Sequence, residues 1–174
     1  AFLSCTALES IVLPNSLEQL APHAFGSCTS LKSVKLPESL KVIQEAAFAK
    51  CEALTDIEFP ESIYEIERFA FNGCKSLKKV VLPKAMTQLD PCVFPGCSSL
   101  TEIVIPEGLT KLGAGSFDYC RSLTDIYCYS VEPPFIYQAF DGIALEQVTA
   151  HVQVVKKYKK DSLWKAFGKL VPMQ

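Results

Sequence analysis

Cys28-Thr29-Ser30-Leu31-Lys32-Ser33-Val34-Lys35-Leu36-Pro37-Glu38-Ser39-Leu40 is the stretch that decides the fold. Val34 and Leu36 are apolar at i and i+2 with Lys35 between them, the period-2 signature of a strand with one buried face. Pro37 has no N–H to give to a ladder, so the strand ends there and the chain turns. Leu40 and Ile43 then mark a returning side, and Ala47-Phe48 leads to the next cysteine, Cys51, 23 residues after Cys28.

The same spacing runs in both directions. Cys5, Cys28, Cys51, Cys74, Cys97 and Cys120 form one column, and Phe2, Phe25, Phe48, Phe71, Phe94 and Phe117 form a second, three residues ahead. Leu8 to Leu123, Ile11 to Ile126 and Pro14 to Pro106 make three more at the same period. Columns in one register define an internal repeat. A single coil cannot bury its apolar face, whereas stacked coils bury Phe on Phe, Leu on Leu and Cys on Cys. The expected fold is an α/β solenoid: a right-handed array of about six 23-residue coils with a parallel sheet on one face and a C-terminal cap, roughly 25–30 Å long at one strand spacing per coil.

The unit C-x-x-L-x-x-[IV]-x-[LF]-P-x-S-L with A-F-x-x-C resembles the BspA-like leucine-rich repeat family. Cys28 to Leu40 fits it throughout, as does Cys97-Ser-Ser-Leu100-Thr-Glu-Ile103-Val-Ile105-Pro106-Glu-Gly108-Leu109, and the resemblance covers residues 1 to about 140. It implies a bacterial cell-surface or secreted protein with a non-enzymatic binding or adhesion role toward protein or glycan ligands. A purely structural spacer that displays other domains is the alternative.

The last residues depart from the unit. Ile143 stands where a ladder cysteine is due, and Glu132-Pro133-Pro134 interrupts the return. Leu145, Val148 and Ala150 repeat the strand pattern one residue early, and Val155, Tyr158, Leu163, Trp164 and Phe167 fall on one helical stripe. An open solenoid core needs an atypical covering repeat, so residues 1–140 read as the array and 141–174 as a capping segment with a short helix. The first residues lie in mid-repeat, which predicts a fragment of a longer protein. They also predict an open N-terminal end carrying Phe2, Leu8, Ile11 and Leu13, through which copies self-associate.

Composition removes several classes. Of 174 residues, 49% are hydrophobic and 21% charged, and the formal net charge is −2. This is the make-up of a globular domain without the basic excess of a nucleic-acid binder. No apolar run reaches the roughly 20 residues of a membrane span, so membrane insertion is not expected of this segment. Of the eight cysteines, the six of the ladder read as buried, inaccessible free thiols that pack as small hydrophobes. Rungs ~4.7–4.9 Å apart also lie within disulfide reach, so bridges stay as the alternative. Cys128 occupies a core column, and Cys92 is the thiol expected at the surface.

Chemistry is not expected. No C-x-x-C pair exists, and His23 and His151 stand near opposite ends of the array, so neither a zinc site nor a His-based nucleophile is supported. Gly113-Ala-Gly115-Ser116 faintly resembles a phosphate loop but reads better as a turn. Glu65/Glu67 read as a solvated pair. No catalytic, cofactor or metal residues are assigned. Residues 151–174 hold six Lys and one Asp against eleven basic and eighteen acidic residues before them. Lys156, Lys157, Lys159 and Lys160 read first as the solvated back of a cap helix and second as a site for an anionic polymer.

A ligand would meet the side chains that point outward between the buried strand positions. These are Val12, Lys35, Glu58, Val81, Val104 and Tyr127, with Tyr129 beyond, and beside them Ser10, Ser33, Asp56, Lys79, Glu102 and Asp125. Val81, Val104, Tyr127 and Tyr129, bordered by Glu102 and Asp125, are the candidate ligand-binding stripe. Strand propensity alone is the competing explanation for exposed valines.

Overall fold

The structure is a computed structural model, and it describes residues 2–173. In chain order its strands are β1 Ser10–Val12, β2 Gln19–Leu20, β3 Ser33–Lys35, β4 Val42–Ile43, β5 Glu65–Ile66, β6 Lys79–Val81 and β7 Gln88–Leu89. They continue as β8 Glu102–Ile105, β9 Lys111–Leu112, β10 Asp125–Cys128, β11 Phe135–Ile136, β12 Thr149–Val152 and β13 Lys169–Pro172. All pairings among the described residues are parallel. Neighbours stand one coil apart, with Lys79 beside Glu102 and Glu102 beside Asp125. The chain is a parallel-strand solenoid of about seven coils. Helix is scarce: α1 is the single turn Val155–Tyr158, joined by two 3-10 turns.

Strand lies on two sides of the solenoid, where the sequence indicates a sheet on one. The longer strands form one face, as β1-β3 and β6-β8-β10-β12-β13. The returning segments pair into β2-β4-β5 and β7-β9-β11. The first face is interrupted in the third coil, where residues 55–58 form no strand although Thr55 and Lys78 still join neighbouring coils by backbone hydrogen bonds. Phe59 stands there in the column held elsewhere by Leu13, Leu36 and Leu82. It is half-buried there, with its ring edge-on to Phe71 at 5.6 Å.

The third side is neither helix nor irregular chain. Two residues per coil adopt left-handed backbone on either side of the phenylalanine: His23 and Ser27, Ala46 and Lys50, and so on to Gln138 and Gly142. This alternation turns every second N–H toward the next coil. His23, Phe25 and Ser27 donate to the carbonyls of Glu45, Ala47 and Ala49 at 2.7–2.9 Å. Non-glycine residues resist this conformation by about 1–2 kcal/mol each, and the ladder of hydrogen bonds holds them in it.

Within the coils the predicted columns stack. Seven phenylalanines from Phe2 to Phe140 lie ring over ring, centroids 5.1–5.6 Å apart and within 15° of parallel. Leu31, Leu36, Leu40, Ile43, Phe48 and Cys51 are buried as expected, while Val34 is half-buried. Among the residues expected on the N-terminal face, Phe2 is exposed, Leu8 and Ile11 are half-buried and Leu13 is buried.

At the other end β12 sits beside β10 with Ala150 next to Ile126 and Val152 next to Cys128. The step is 24 residues, so the strand falls one residue late rather than early; the 3-10 turn Leu145–Gln147 takes up the extra residue. The continuous helical stripe also fails to form, because α1 stops after one turn and a second 3-10 turn, Trp164–Ala166, follows. Tyr158, Trp164 and Phe167 are nevertheless buried. Tyr158 Oη donates to the Ser130 carbonyl at 2.8 Å, and Trp164 Nε1 to the Pro134 carbonyl at 2.7 Å. Phe167 meets Phe140 edge-on at 5.7 Å.

Candidate functional site

The outward side chains of β6, β8, β10, β12 and β13 form two rows. Strand pairing sets Lys79, Glu102, Asp125, Thr149 and Lys169 in one, and Val81, Val104, Tyr127, His151 and Val171 in the other. Val81 and Tyr129 are exposed, whereas Val104, Tyr127, Glu102 and Asp125 are half-buried.

Two hollows open on this surface. The larger, about 890 Å³, is lined by Val81, Leu82, Val104, Pro106, Tyr129 and Val131, with Glu61, Lys84, Glu107 and Gln153 at its margin. The smaller, about 520 Å³, has Tyr127, Tyr129 and His151 on one side and Val171, Pro172 and Met173 on the other. Tyr129 belongs to both and joins them. Its apolar ring with a polar tip suits a surface that is dry on one side and wet on the other.

The two acids of the stripe line neither hollow. Glu102 pairs with Lys79 at 2.7 Å, and Asp125 Oδ1 is 2.8 Å from His151 Nε2. The His151 ring lies flat on Tyr127, centroids 4.2 Å apart at 7°. Asp125 thereby orients His151, and His151 packs against Tyr127, so this part of the surface is held in place by its own contacts. Sequence reasoning missed His151 as part of this surface. Its signal was the step from Tyr127, legible only once β12 is known to fall one residue late.

The other candidates resolve into structure. Cys28, Cys51, Cys74, Cys97, Cys120 and Cys128 are buried free thiols, Cys92 is partly exposed, and Cys5 is exposed. The exposure of Cys5 corrects the expectation that the whole ladder is inaccessible. Burial raises the Cys74 and Cys97 thiols well above their ordinary range and brings Cys51 up to about 12, the opposite of an activated nucleophile. A Cβ on Gly113 would come within 2.4 Å of Pro91 N, so its glycine serves close backbone packing. Lys157 pairs with Glu132, while Lys156, Lys159 and Lys160 are exposed. Among the described residues no group of three or more His, Cys, Asp or Glu gathers to hold a metal ion, and no helix is long and apolar enough to cross a membrane.

A family model described as a BspA type leucine rich repeat region matches residues 1–124 and 41–160, in six copies. The chain belongs to the BspA-type leucine-rich repeat family. No curated protein sequence matches this BspA-type array, but solved structures do. The T. pallidum leucine-rich repeat protein TpLRR is 27% identical with a TM-score of 0.68, over 83% of this chain and 69% of its own. The pneumococcal vaccine antigen PcpA is 24% identical with a TM-score of 0.74, over 95% of this chain but only 42% of its own. A leucine-rich repeat protein from Eubacterium ventriosum is 13% identical with a TM-score of 0.55, over 95% of this chain and 57% of its own. At those identities the last two speak for the fold alone. The present chain spans about two thirds of TpLRR and less than half of PcpA.

Proposed function

We propose that this BspA-type array is a non-enzymatic binding and adhesion module of a bacterial cell-surface or secreted protein. It engages a protein or glycan ligand through the sheet face of its C-terminal half. The observation that carries the reading is Tyr129, exposed between two hollows with Val81 and Val104 on one side and the Tyr127–His151 stack on the other. Aromatic anchors beside an apolar strip are the usual core of a binding surface. The description of one structural relative, PcpA, as a vaccine antigen accords with a surface location. Self-association through the N-terminal face, where Phe2 is exposed and Leu8 and Ile11 are half-buried, belongs to the same proposal.

The spacer reading keeps one point in its favour. Lys79–Glu102 and Asp125–His151 already satisfy each other across coils, as the charges of a plain sheet surface would. The test is binding of the chain to a panel of purified extracellular proteins and glycans, repeated with Val104→Ser/Tyr127→Ser. Loss of binding with unchanged thermal stability supports the module, and binding that survives the double change assigns the stripe to structure alone.

A further inference from the structure

The clearest unused surface lies away from the sheet face, on the side of the seventh coil that looks toward the C-terminus. In each earlier coil, alternate N–H groups around the phenylalanine donate to the coil that follows. The last set of this kind is Gly115 to Gln138, Phe117 to Ala139 and Tyr119 to Asp141, at 2.6–2.9 Å. The next donors in the series, the N–H groups of Gln138, Phe140 and Gly142, meet no acceptor among the described residues. Gln138 and Gly142 keep the left-handed backbone that aims such groups outward in every other coil.

The capping segment covers only part of this edge. Trp164 takes the Pro134 carbonyl and Phe167 covers the Phe140 ring. Between them a hollow of about 200 Å³ remains, with Ile136, Gln138, Phe140, Asp141, Leu163 and Ala166 among its walls. Beside it β11 is the outermost strand of its sheet. Phe135 on that strand and Tyr137 just after it, both 55% exposed, stand side by side with ring centroids 6.4 Å apart.

We propose that residues 135–142 form a docking edge for an extended segment of a partner polypeptide, whose carbonyls accept from Gln138, Phe140 and Gly142 and whose apolar side chains lie on Phe135 and Tyr137. The edge is continuous with an interface the protein already makes coil after coil, which is the logic of strand addition. A row of N–H groups could also cradle an anion. The carboxylate of Asp141 in the same wall opposes that, whereas a neutral carbonyl row beside an aromatic pair fits both features.

Amide hydrogen exchange on the full chain tests this with three probes: acetylated and amidated Thr-Val-Thr-Val-Thr, the same peptide with serine for valine, and inorganic phosphate. The valine peptide should slow exchange at Gln138, Phe140 and Gly142 at least tenfold. The serine peptide should need at least tenfold higher concentration, and Phe135→Ser/Tyr137→Ser should abolish the effect without moving the melting temperature. Phosphate should leave these amides unchanged. Slowing by phosphate alone, equal slowing by both peptides, or none with the valine peptide would overturn the assignment.

Discussion

Cys74 Sγ lies 3.2 Å from the carbonyl oxygen of Phe48, 26 residues earlier. The same contact recurs from Cys28 to Phe2, Cys51 to Phe25, Cys97 to Phe71 and Cys120 to Phe94. In this column cysteine fills a methyl-sized slot and gives its S–H to a carbonyl that also accepts a backbone N–H within its own coil, as Phe48 does from Cys51 at 3.1 Å. Replacing Cys74 with alanine removes donor and volume together and should cost about 1–3 kcal/mol in urea unfolding. Serine can still donate to Phe48 and should cost less. Equal losses would mean that volume alone sets the preference.

Burial of these thiols gives stability an alkaline limit. Cys51 is raised from 9.0 to about 12 in the folded protein, and Cys74 and Cys97 move in the same direction. Unfolded thiols ionise near pH 9 while the folded ones stay protonated, so their contribution is complete below pH 9 and is lost as pH rises toward 12. Each thiol adds a slope of at most about 1.4 kcal/mol per pH unit. Urea midpoints should fall across that window, more gently in Cys51→Ala; a flat profile would contradict the burial of the ladder.

Accessibility should divide the eight thiols. Cys5 is exposed and Cys92 is partly so, with its thiol raised by burial and by the nearby Asp118 carboxylate. A disulfide-exchange reagent at neutral pH should find Cys5 quickly, Cys92 slowly and the other six only after denaturation. Three or more fast thiols in native protein would break the reading.

The periodic part of this architecture was legible because identical residues stack on themselves: Phe48 on Phe71 and Cys51 over Cys74 need only a constant spacing. What escaped has no such letter. The left-handed positions are held by His23, Ala46, Lys50 and Phe69 as well as by Gly73, so no glycine pattern announced them; the ladder imposes the conformation. The break at residues 55–58 coincides with the one phenylalanine in its column, Phe59. The stripe Val81, Val104, Tyr127 and Tyr129 followed from alternation, yet His151 joined it through a one-residue slip that periodicity cannot supply. The C-terminal segment was visible as departure from the unit, but what ties it down includes single hydrogen bonds from Tyr158 and Trp164.

Trp164→Phe tests the cap. It keeps most of the apolar volume but leaves the Pro134 carbonyl without its 2.7 Å donor, a loss of about 1–3 kcal/mol. Hydrogen exchange should quicken first in β11 and β12 and leave β3 and β4 unchanged. Uniform loss of protection along the array would mean that the cap and coils unfold as one unit.

The functional claim rests most directly on Tyr129, the one residue shared by both hollows. The deciding measurement is the affinity of wild type and Tyr129→Ala for the tightest binder in a panel of purified extracellular proteins and glycans, with melting temperatures recorded in parallel. An anchor residue predicts at least a tenfold loss, about 1.4 kcal/mol, with the melting temperature unchanged. Affinities within twofold of each other, or no panel member bound by wild type, would contradict a binding role for this face.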